Sequence, residues 1–366
     1  MTIEEFLRDW NNESARLLVH TSGSTGKPKP LWIEKSRMVA SAQTTCDFLG
    51  LKENDTALLC MSLDYIAGKM MAVRAIVRNL RLVCVEPSGN PLSQPVCKVM
   101  HKGNVEIIKN PQEWTDCSID FAAMVPMQVY NSLQSPADSE RLRNIKHLII
   151  GGGAIDESLS KVLLGFPNAV WSTYGMTETL SHIALRHLNG KEATEWYTPL
   201  PGVAISQTDE GCMVIDAPAV CPERLVTNDI VEIVCNDVPR FRILGRKDNV
   251  ICSGGIKIQI EEVERAIKPF LSMPFLITKR HDAKFGEIVV MLAETPTTES
   301  TLEASEKKIN TAKSIASTKA LLKDICQQHL PKYWQPRDYI FTDKIPTTET
   351  GKPARSKAEE LAGKEM

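Results

Sequence analysis

The sequence predicts an α/β protein: a large N-terminal domain with mixed or parallel sheets flanked by helices, a small β subdomain, and a smaller α+β C-terminal domain. Two observations carry this expectation. From Leu17 to about Val170, short apolar runs alternate with helical patterns, which favours a parallel sheet with helices on its faces. After about Trp196, turn residues become frequent and short β-like runs take over. Length agrees, since 366 residues at roughly 150 per domain suggest two domains, or three.

The elements follow in order. Met1–Phe6 has no basic start followed by an apolar stretch, so it does not read as a secretory signal. Leu17–Val19, Ala57–Cys60, Leu82–Val85, Phe121–Val125, His147–Ile150 and Ala169–Trp171 read as buried strands. Between the second and third, Met70, Val73, Ile76, Val77 and Leu80 fall at helical spacing. Cys212–Ile215, Ile230–Val234 and Phe241–Leu244 are the β-like runs of a subdomain over about 196–247. The polar turn Gly245–Asn249 marks a boundary, giving domains 1–247 and 248–366. Beyond it come a helix near Ile260–Ile267, a hairpin around Lys284–Gly286, and a longer helix ending near Leu330. Residues 295–319 read as a loop plus an exposed helix start.

Composition narrows the function classes. The 43 Lys+Arg against 45 Asp+Glu leave a net charge of −2, which argues against a surface that coats nucleic acid. No apolar run approaches the roughly 18 residues that a bilayer span requires. The ten cysteines are scattered through apolar segments with no Cys-x2-Cys pair, so they read as buried reduced thiols of a cytoplasmic protein.

The chemistry-bearing segments begin with Thr21-Ser22-Gly23-Ser24-Thr25-Gly26-Lys27-Pro28-Lys29-Pro30, directly after the first strand. Two glycines let backbone N–H groups crowd an anion, hydroxyls add donors, and lysines add charge. The spacing is not that of the Walker A loop, and a flexible Ser/Gly turn is the alternative. Further on come Gly151-Gly152-Gly153-Ala154 and Ser172-Thr173-Tyr174-Gly175-Met176-Thr177-Glu178-Thr179. A helix N-terminus with acidic capping would explain Thr177 and Glu178 but not the whole octapeptide. Then follow Val226–Asp229, Leu244–Asn249 with Ser253-Gly254-Gly255, and Thr348–Arg355.

In this order the segments resemble the acyl-adenylate-forming, AMP-binding enzymes: acyl-CoA synthetases, adenylation domains and luciferases. The resemblance implies an acyl-CoA synthetase-like fold whose small C-terminal domain is a mobile lid. It makes Thr21, Ser22, Gly23, Ser24, Thr25, Gly26 and Lys27 the phosphate loop, and Gly152, Gly153 and Ala154 a wall against adenine. Thr173, Tyr174 and Gly175 belong to the second signature, with Tyr174 offering a face to the purine. Thr177 would meet the α-phosphate and Glu178 would hold Mg²⁺. Asp229 would accept the ribose hydroxyls, Arg246 would bind ribose or phosphate, and Asp248 would be the hinge. Gly254 and Gly255 would border the CoA tunnel, and Lys352 would be the catalytic lysine. Pro30, Asn228, Pro353 and Ala354 depart from the family pattern. Typical members carry well over a hundred residues before the phosphate loop, so the N-terminal part is expected to be shortened. Closure by compaction or by dimerisation, as a homo-oligomer, stays open.

The implied reaction joins a carboxylic acid to coenzyme A through an acyl-adenylate, with ATP and CoA as substrates and Mg²⁺ as cofactor. In Ser62–Gly68, Tyr65 stands where many members have His, and Gly68 closes the motif. Arg74 follows in an otherwise apolar helix, and a buried Arg is costly unless it meets an anion. The alternative is an ordinary exposed helix arginine. An Arg at this offset, and the run Met176–Ala184, resemble the o-succinylbenzoate–CoA ligases of menaquinone biosynthesis, in a short Bacteroidetes-type version. Tyr65, Gly68 and Arg74 are then the acid-binding residues. Another acyl- or aryl-CoA ligase, a carrier-protein-loading adenylation enzyme and a catalytically silent nucleotide-binding protein are the alternatives. No nucleic-acid partner and no membrane insertion are expected.

Overall fold

The structure, a computed structural model, describes residues 1–20, 30–108, 117–153, 155, 157–235, 238–295, 304–348 and 353–363. The chain divides into two compact units, one of residues 1–208, 213–227 and 232–242, the other of residues 209–212, 228–231 and 243–366.

The first unit starts with a helix, Ile3–Asn11, opened by a capping box in which Thr2 and Glu5 satisfy each other's backbone N–H groups. Strands β1 (Arg16–His20) and β2 (Pro30–Glu34) form a separate two-stranded antiparallel sheet. The first apolar run is therefore a hairpin arm and not a member of the main sheet. Nine residues between His20 and Pro30 are too few for a parallel crossover, so the two strands pair antiparallel.

The main sheet takes β3 (Thr56–Leu59), β4 (Arg81–Val85), β5 (Val96–His101), β6 (Asn104–Ile107), β7 (Phe121–Met124), β8 (His147–Ile150), β9 (Ala169–Gly175), β10 (His182–His187) and β11 (Thr198–Pro199). Its order is β11-β10-β9-β8-β7-β3-β4-β5-β6. The five central strands run parallel, and both margins are antiparallel. Central strands such as β3 and β7 are buried throughout, as a sheet covered on both faces requires. Alternate side chains feed two cores. Ala57, Leu59, Leu82, Phe121 and Ile149 meet the helices Ile3–Asn11, Lys35–Phe48 and Ile66–Arg78. Leu58, Val83, Ala122 and Leu148 meet residues of Pro126–Ser132, Pro136–Asn144 and Glu157–Leu163. The helix read from Met70 to Leu80 ends at Arg78, because Asn79 takes a left-handed φ of 52° as its cap, yet Leu80 is still buried.

A four-stranded sheet of order β12-β13-β14-β15 comes next, from Ala204–Gln207, Cys212–Asp216, Leu225–Cys235 and Pro239–Arg246. In the second unit, β16 (Val250–Ser253), β17 (Ile256–Gln259), β18 (Phe275–Asp282), β19 (Gly286–Glu294) and β20 (Asp338–Thr342) build a sheet in which β20 joins β19 in parallel. On β19, Val289, Met291 and Ala293 share a core with residues of helices Ile260–Ile267 and Ala304–His329. Ile288, Val290 and Leu292 point the other way, onto helix Arg355–Gly363. All ten cysteines are free, but Cys235 and Cys252 are exposed and Cys97 and Cys117 half-buried, so the expectation of buried thiols holds only for the other six.

Candidate functional site

The carboxyl ends of the parallel strands gather most of the first unit's candidates, as open α/β sheets do with their ligands. After β8 the chain turns through Gly151, Gly152 and Gly153, with Gly152 at φ +78°. A Cβ at Gly152 would touch Val125 and one at Gly153 would touch Pro126, both at the carboxyl end of β7. A Cβ at Gly151 would collide with the Thr173 hydroxyl on β9, so glycine there makes room for Thr173. The glycine wall and the second signature therefore adjoin.

Residues 176–181 form the tight connection from β9 to β10 and no helix follows, so the helix-start alternative for Thr177 and Glu178 is excluded. Gly175 allows the connection. A Cβ there would run into the backbone of Ser181 and His182, which fold straight back onto β9. Thr179 Oγ1 accepts from the Met176 N–H (3.0 Å), and the Leu180 N–H donates to the Thr177 carbonyl (2.9 Å). Leu180 carries a left-handed φ of 65° while its side chain is buried. At the tip Thr177 is buried and Glu178 is exposed. Among the described residues no cluster of three or more His, Cys, Asp or Glu could hold a metal. Tyr174 is buried, its ring edge-on to Phe241 at 5.2 Å and tilted to Tyr197 at 6.1 Å. Phe241 and Tyr197 stack and exchange both backbone hydrogen bonds (2.7 and 3.0 Å). In the sequence Phe241 reads only as the start of a β-like run and Tyr197 carries no signal, since neither stands in a motif.

At the carboxyl end of β3, Tyr65 precedes helix Ile66–Arg78 and forms a parallel bridge with His20, the residue before the expected phosphate loop. Gly68 is needed on steric grounds, because a Cβ would collide with the Ser62 carbonyl. Further along the helix Arg74 is only 2% exposed, which excludes the alternative of a solvated helix arginine. Its Nη2 donates to Ser181 Oγ (2.6 Å), its Nη1 lies 3.8 Å from Met71 Sδ, and its Nε has no partner among the described residues. Burial pushes its guanidinium down to about 10, and among the described residues no carboxylate pairs with it. Ser181 Oγ is 3.3 Å from His182 Nδ1, whose Nε2 is 3.0 Å from Thr45 Oγ1. Burial, with Arg74 nearby, holds the His182 imidazole well below its ordinary value. Ser181, His182 and Thr45 are the residues the sequence reading missed around Arg74. The first two lay within a run noted only for its resemblance, and Thr45 carries no local signal.

The second unit gathers Asp229, Arg246 and Asp248. Arg246 grips Asp248 through two bonds of 3.0 Å and reaches Asp229 at 3.3 Å. This partnership raises the Arg246 guanidinium; Asp248, pushed up by burial, is held lower overall by Arg246. Gly254 (φ +56°) and Gly255 (φ +84°) are the two-residue turn of the β16–β17 hairpin, where both positions need left-handed backbone. Thr347 and Pro353 pair across the base of the Gly-Lys loop, and the Ala354 N–H donates to the Pro346 carbonyl (2.9 Å). Thr21, Ser22, Gly23, Ser24, Thr25, Gly26, Lys27, Ala154 and Lys352 lie outside the described residues.

The glycine turn, the Thr-Glu connection and the buried guanidinium gather at the carboxyl ends of a mostly parallel sheet, where open α/β folds bind their ligands. The sequence profile of the AMP-binding enzymes matches residues 6–218, and the chain belongs to that family. An acyl-CoA synthetase (AMP-forming)/AMP-acid ligase II-like protein from Dyadobacter fermentans is 32% identical in sequence, with a TM-score of 0.59 over 98% of this chain and 93% of that one. A 2-succinylbenzoate–CoA ligase of Listeria monocytogenes is 22% identical, over 98% of this chain and 73% of its own. The o-succinylbenzoate CoA synthetase of Bacillus subtilis, solved with ATP and magnesium ion, shares the fold at a TM-score of 0.67 and 20% identity, over 93% of this chain and 68% of that one. By class the protein is an AMP-forming acid–thiol ligase.

Proposed function

We propose that the protein joins 2-succinylbenzoate to coenzyme A in menaquinone biosynthesis, forming the acyl-adenylate from ATP and then the thioester. The observation that carries the reading is Arg74: a guanidinium almost wholly buried, held by a neutral hydroxyl, with an unpartnered Nε and no carboxylate against it among the described residues. A buried charge left uncompensated is expensive, and an anionic substrate group would compensate it. A dicarboxylic acid offers one carboxylate to Arg74 and the other to ATP. The names of the similar ligases from Listeria monocytogenes and Bacillus subtilis support the same acid.

In this reading the first carboxylate attacks the α-phosphorus and pyrophosphate leaves; the CoA thiol then attacks the mixed anhydride and AMP leaves. Two anions approach in the first step, so cations and oriented N–H groups must meet the growing charge. The 21–29 loop and Lys352 take that role, with Mg²⁺ supplying charge at Glu178. The donor set fits Mg²⁺, which takes one or two carboxylates together with substrate phosphates: Glu178 is a single exposed carboxylate at the tip of a turn. Thr177 faces the α-phosphate, Tyr174 and the glycine wall take adenine, Asp229 and Arg246 the ribose, Tyr65 and Gly68 the acid, and the Gly254–Gly255 hairpin the pantetheine. The domain boundary falls at 247/248, with Asp248 as pivot. Ten free cysteines suit the cytoplasm.

The test is ATP–pyrophosphate exchange across a panel of acids, followed by mass analysis of the thioester. Exchange should be strongest with 2-succinylbenzoate. Strong exchange with a monocarboxylic aryl or medium-chain acid, and none with 2-succinylbenzoate, would overturn the assignment of the acid.

A further inference from the structure

The hydrogens around Arg74 can be assigned one by one. Ser181 Oγ accepts from Arg74 Nη2 at 2.6 Å, so its own proton is free to point elsewhere. The acceptor within reach is His182 Nδ1, 3.3 Å away. On the far side, Thr45 Oγ1 donates to the Ser41 carbonyl (3.1 Å) and so must receive a proton from His182 Nε2 (3.0 Å). Both ends demand the same tautomer, neutral imidazole with the proton on Nε2. Three segments contribute: helix Ile66–Arg78 brings Arg74, helix Lys35–Phe48 brings Thr45 and Ser41, and the end of the β9–β10 connection with the first residue of β10 brings Ser181 and His182. Ser41, Thr45, Arg74 and His182 are all buried. The charged and titratable groups nearby are Arg74 itself, which opposes protonation of the imidazole, and Cys46 beside Arg74, whose thiol burial pushes up.

We infer that Ser181, His182 and Thr45 form a directional hydrogen-bond relay that positions the Arg74 guanidinium, and that His182, locked as its neutral Nε2–H tautomer, is thereby a specificity-determining positioning residue. A relay made of neutral groups fixes the guanidinium without cancelling its charge. A carboxylate in the place of Ser181 would hold Arg74 equally well and leave it nothing to offer an anion. The functional consequence rests on the reading of Arg74 as the clamp for a second substrate carboxylate; the tautomer does not.

The experiment uses the full chain and has two arms. Nitrogen-15 NMR of histidine-labelled protein, with His182 assigned by loss of its signals in His182→Asn, should show Nε2 protonated and Nδ1 bare, unchanged from about pH 5.5 to about 8.5. The opposite tautomer, or titration in that range, overturns the relay whatever the substrate is. In steady-state assays His182→Leu, which removes the acceptor facing Ser181, should raise KM for 2-succinylbenzoate by about 3- to 10-fold, with kcat and KM for ATP little changed. His182→Asn, which keeps an acceptor near the place of Nδ1, should recover most of that loss. Equal losses in the two variants, or none in either, overturn the positioning role. If His182→Leu fails to fold, Ser181→Ala cuts the same link and carries the same expectation. Failure of wild-type enzyme to use 2-succinylbenzoate counts against the substrate reading alone, since the NMR arm stands without it.

Discussion

At the scale of single residues, Arg74 and His182 show how burial changes the chemistry of an ordinary side chain. Arg74 on an exposed helix face would be worth little; at 2% exposure its charge has to be answered. Arg74→Ala should therefore raise KM for the dicarboxylic acid by about 10- to 200-fold, the range of a charge-assisted hydrogen bond of roughly 1.5–3 kcal/mol. KM for ATP should hardly move, and an unchanged KM for 2-succinylbenzoate would remove Arg74 from the acid site. His182 makes a separate prediction about stability. An unfolded histidine takes up its proton near about pH 6.5, whereas burial beside Arg74 keeps the folded imidazole neutral well below that. Below about pH 6.5 the unfolded chain binds more protons than the folded one, so stability falls with pH at up to about 1.4 kcal/mol per unit, and is unaffected by this group above about pH 7. In urea melts at about pH 7.5 and about pH 5.5, His182→Asn should lose less stability between the two than the wild type. Equal losses would mean that the folded imidazole takes up its proton as readily as the unfolded one.

Among the elements, the β9–β10 connection carries the most functional detail in the fewest residues. Its signature octapeptide is recognisable in the sequence as a unit, where a helix start is the alternative for Thr177 and Glu178; the structure has a tight connection instead. Gly175 is the deciding residue, because only a residue without Cβ lets Ser181 and His182 lie directly on β9. The atoms that a Cβ would strike are backbone, which cannot swing aside. Gly175→Ala should lower stability by about 1–3 kcal/mol through overpacking and should cut adenylate formation at least tenfold. Calorimetry and pyrophosphate exchange check the two halves. A variant that melts within about one degree of wild type would show that the connection can shift at little cost. The β16–β17 hairpin illustrates the opposite case. Its paired glycines were read for the CoA tunnel, yet both sit at positive φ and so already have a conformational reason to be glycine.

For the whole molecule, the proposed reaction has two half-reactions, adenylation and thioester formation, and the proposal gives them different groups. On the proposed reading Lys352, about a hundred residues past the proposed pivot, serves the first half-reaction and withdraws with its domain for the second; large φ/ψ changes at one or two residues would absorb such a motion. Asp248 sits in a short 3₁₀ turn, Lys247–Asn249, gripped by Arg246. Proline at 248 fixes φ near −65°, a value a 3₁₀ turn accepts. Asp248→Pro should still form acyl-adenylate and pyrophosphate but fail to pass the acyl group to CoA from supplied adenylate. Asp248→Ala, which loses the Arg246 pair without locking φ, should retain transfer far better. Near-normal transfer in the proline variant would show that the chain does not turn at 248.

The sequence alone determined what is contiguous. The strand–helix alternation, the order of the signature segments and the family they indicate all rest on residues close together in the chain, where periodicity and turn chemistry act. It also singled out Arg74, since a cation in an apolar helix is a conflict visible without coordinates. Only the tertiary structure decided what depends on distant partners. It set β1 apart from the main sheet, paired along its whole length with Pro30–Glu34. It added the antiparallel margins of the main sheet, where β6, at the edge, buries none of its side chains fully and so shows no continuous apolar run. And it brought Thr45, 137 residues away in sequence, against His182, and Ser181, 107 residues away, against Arg74. Hydrogen bonds over such separations leave no local pattern, because each partner is chosen by the packing of helices and strands around it and not by its neighbours in the chain.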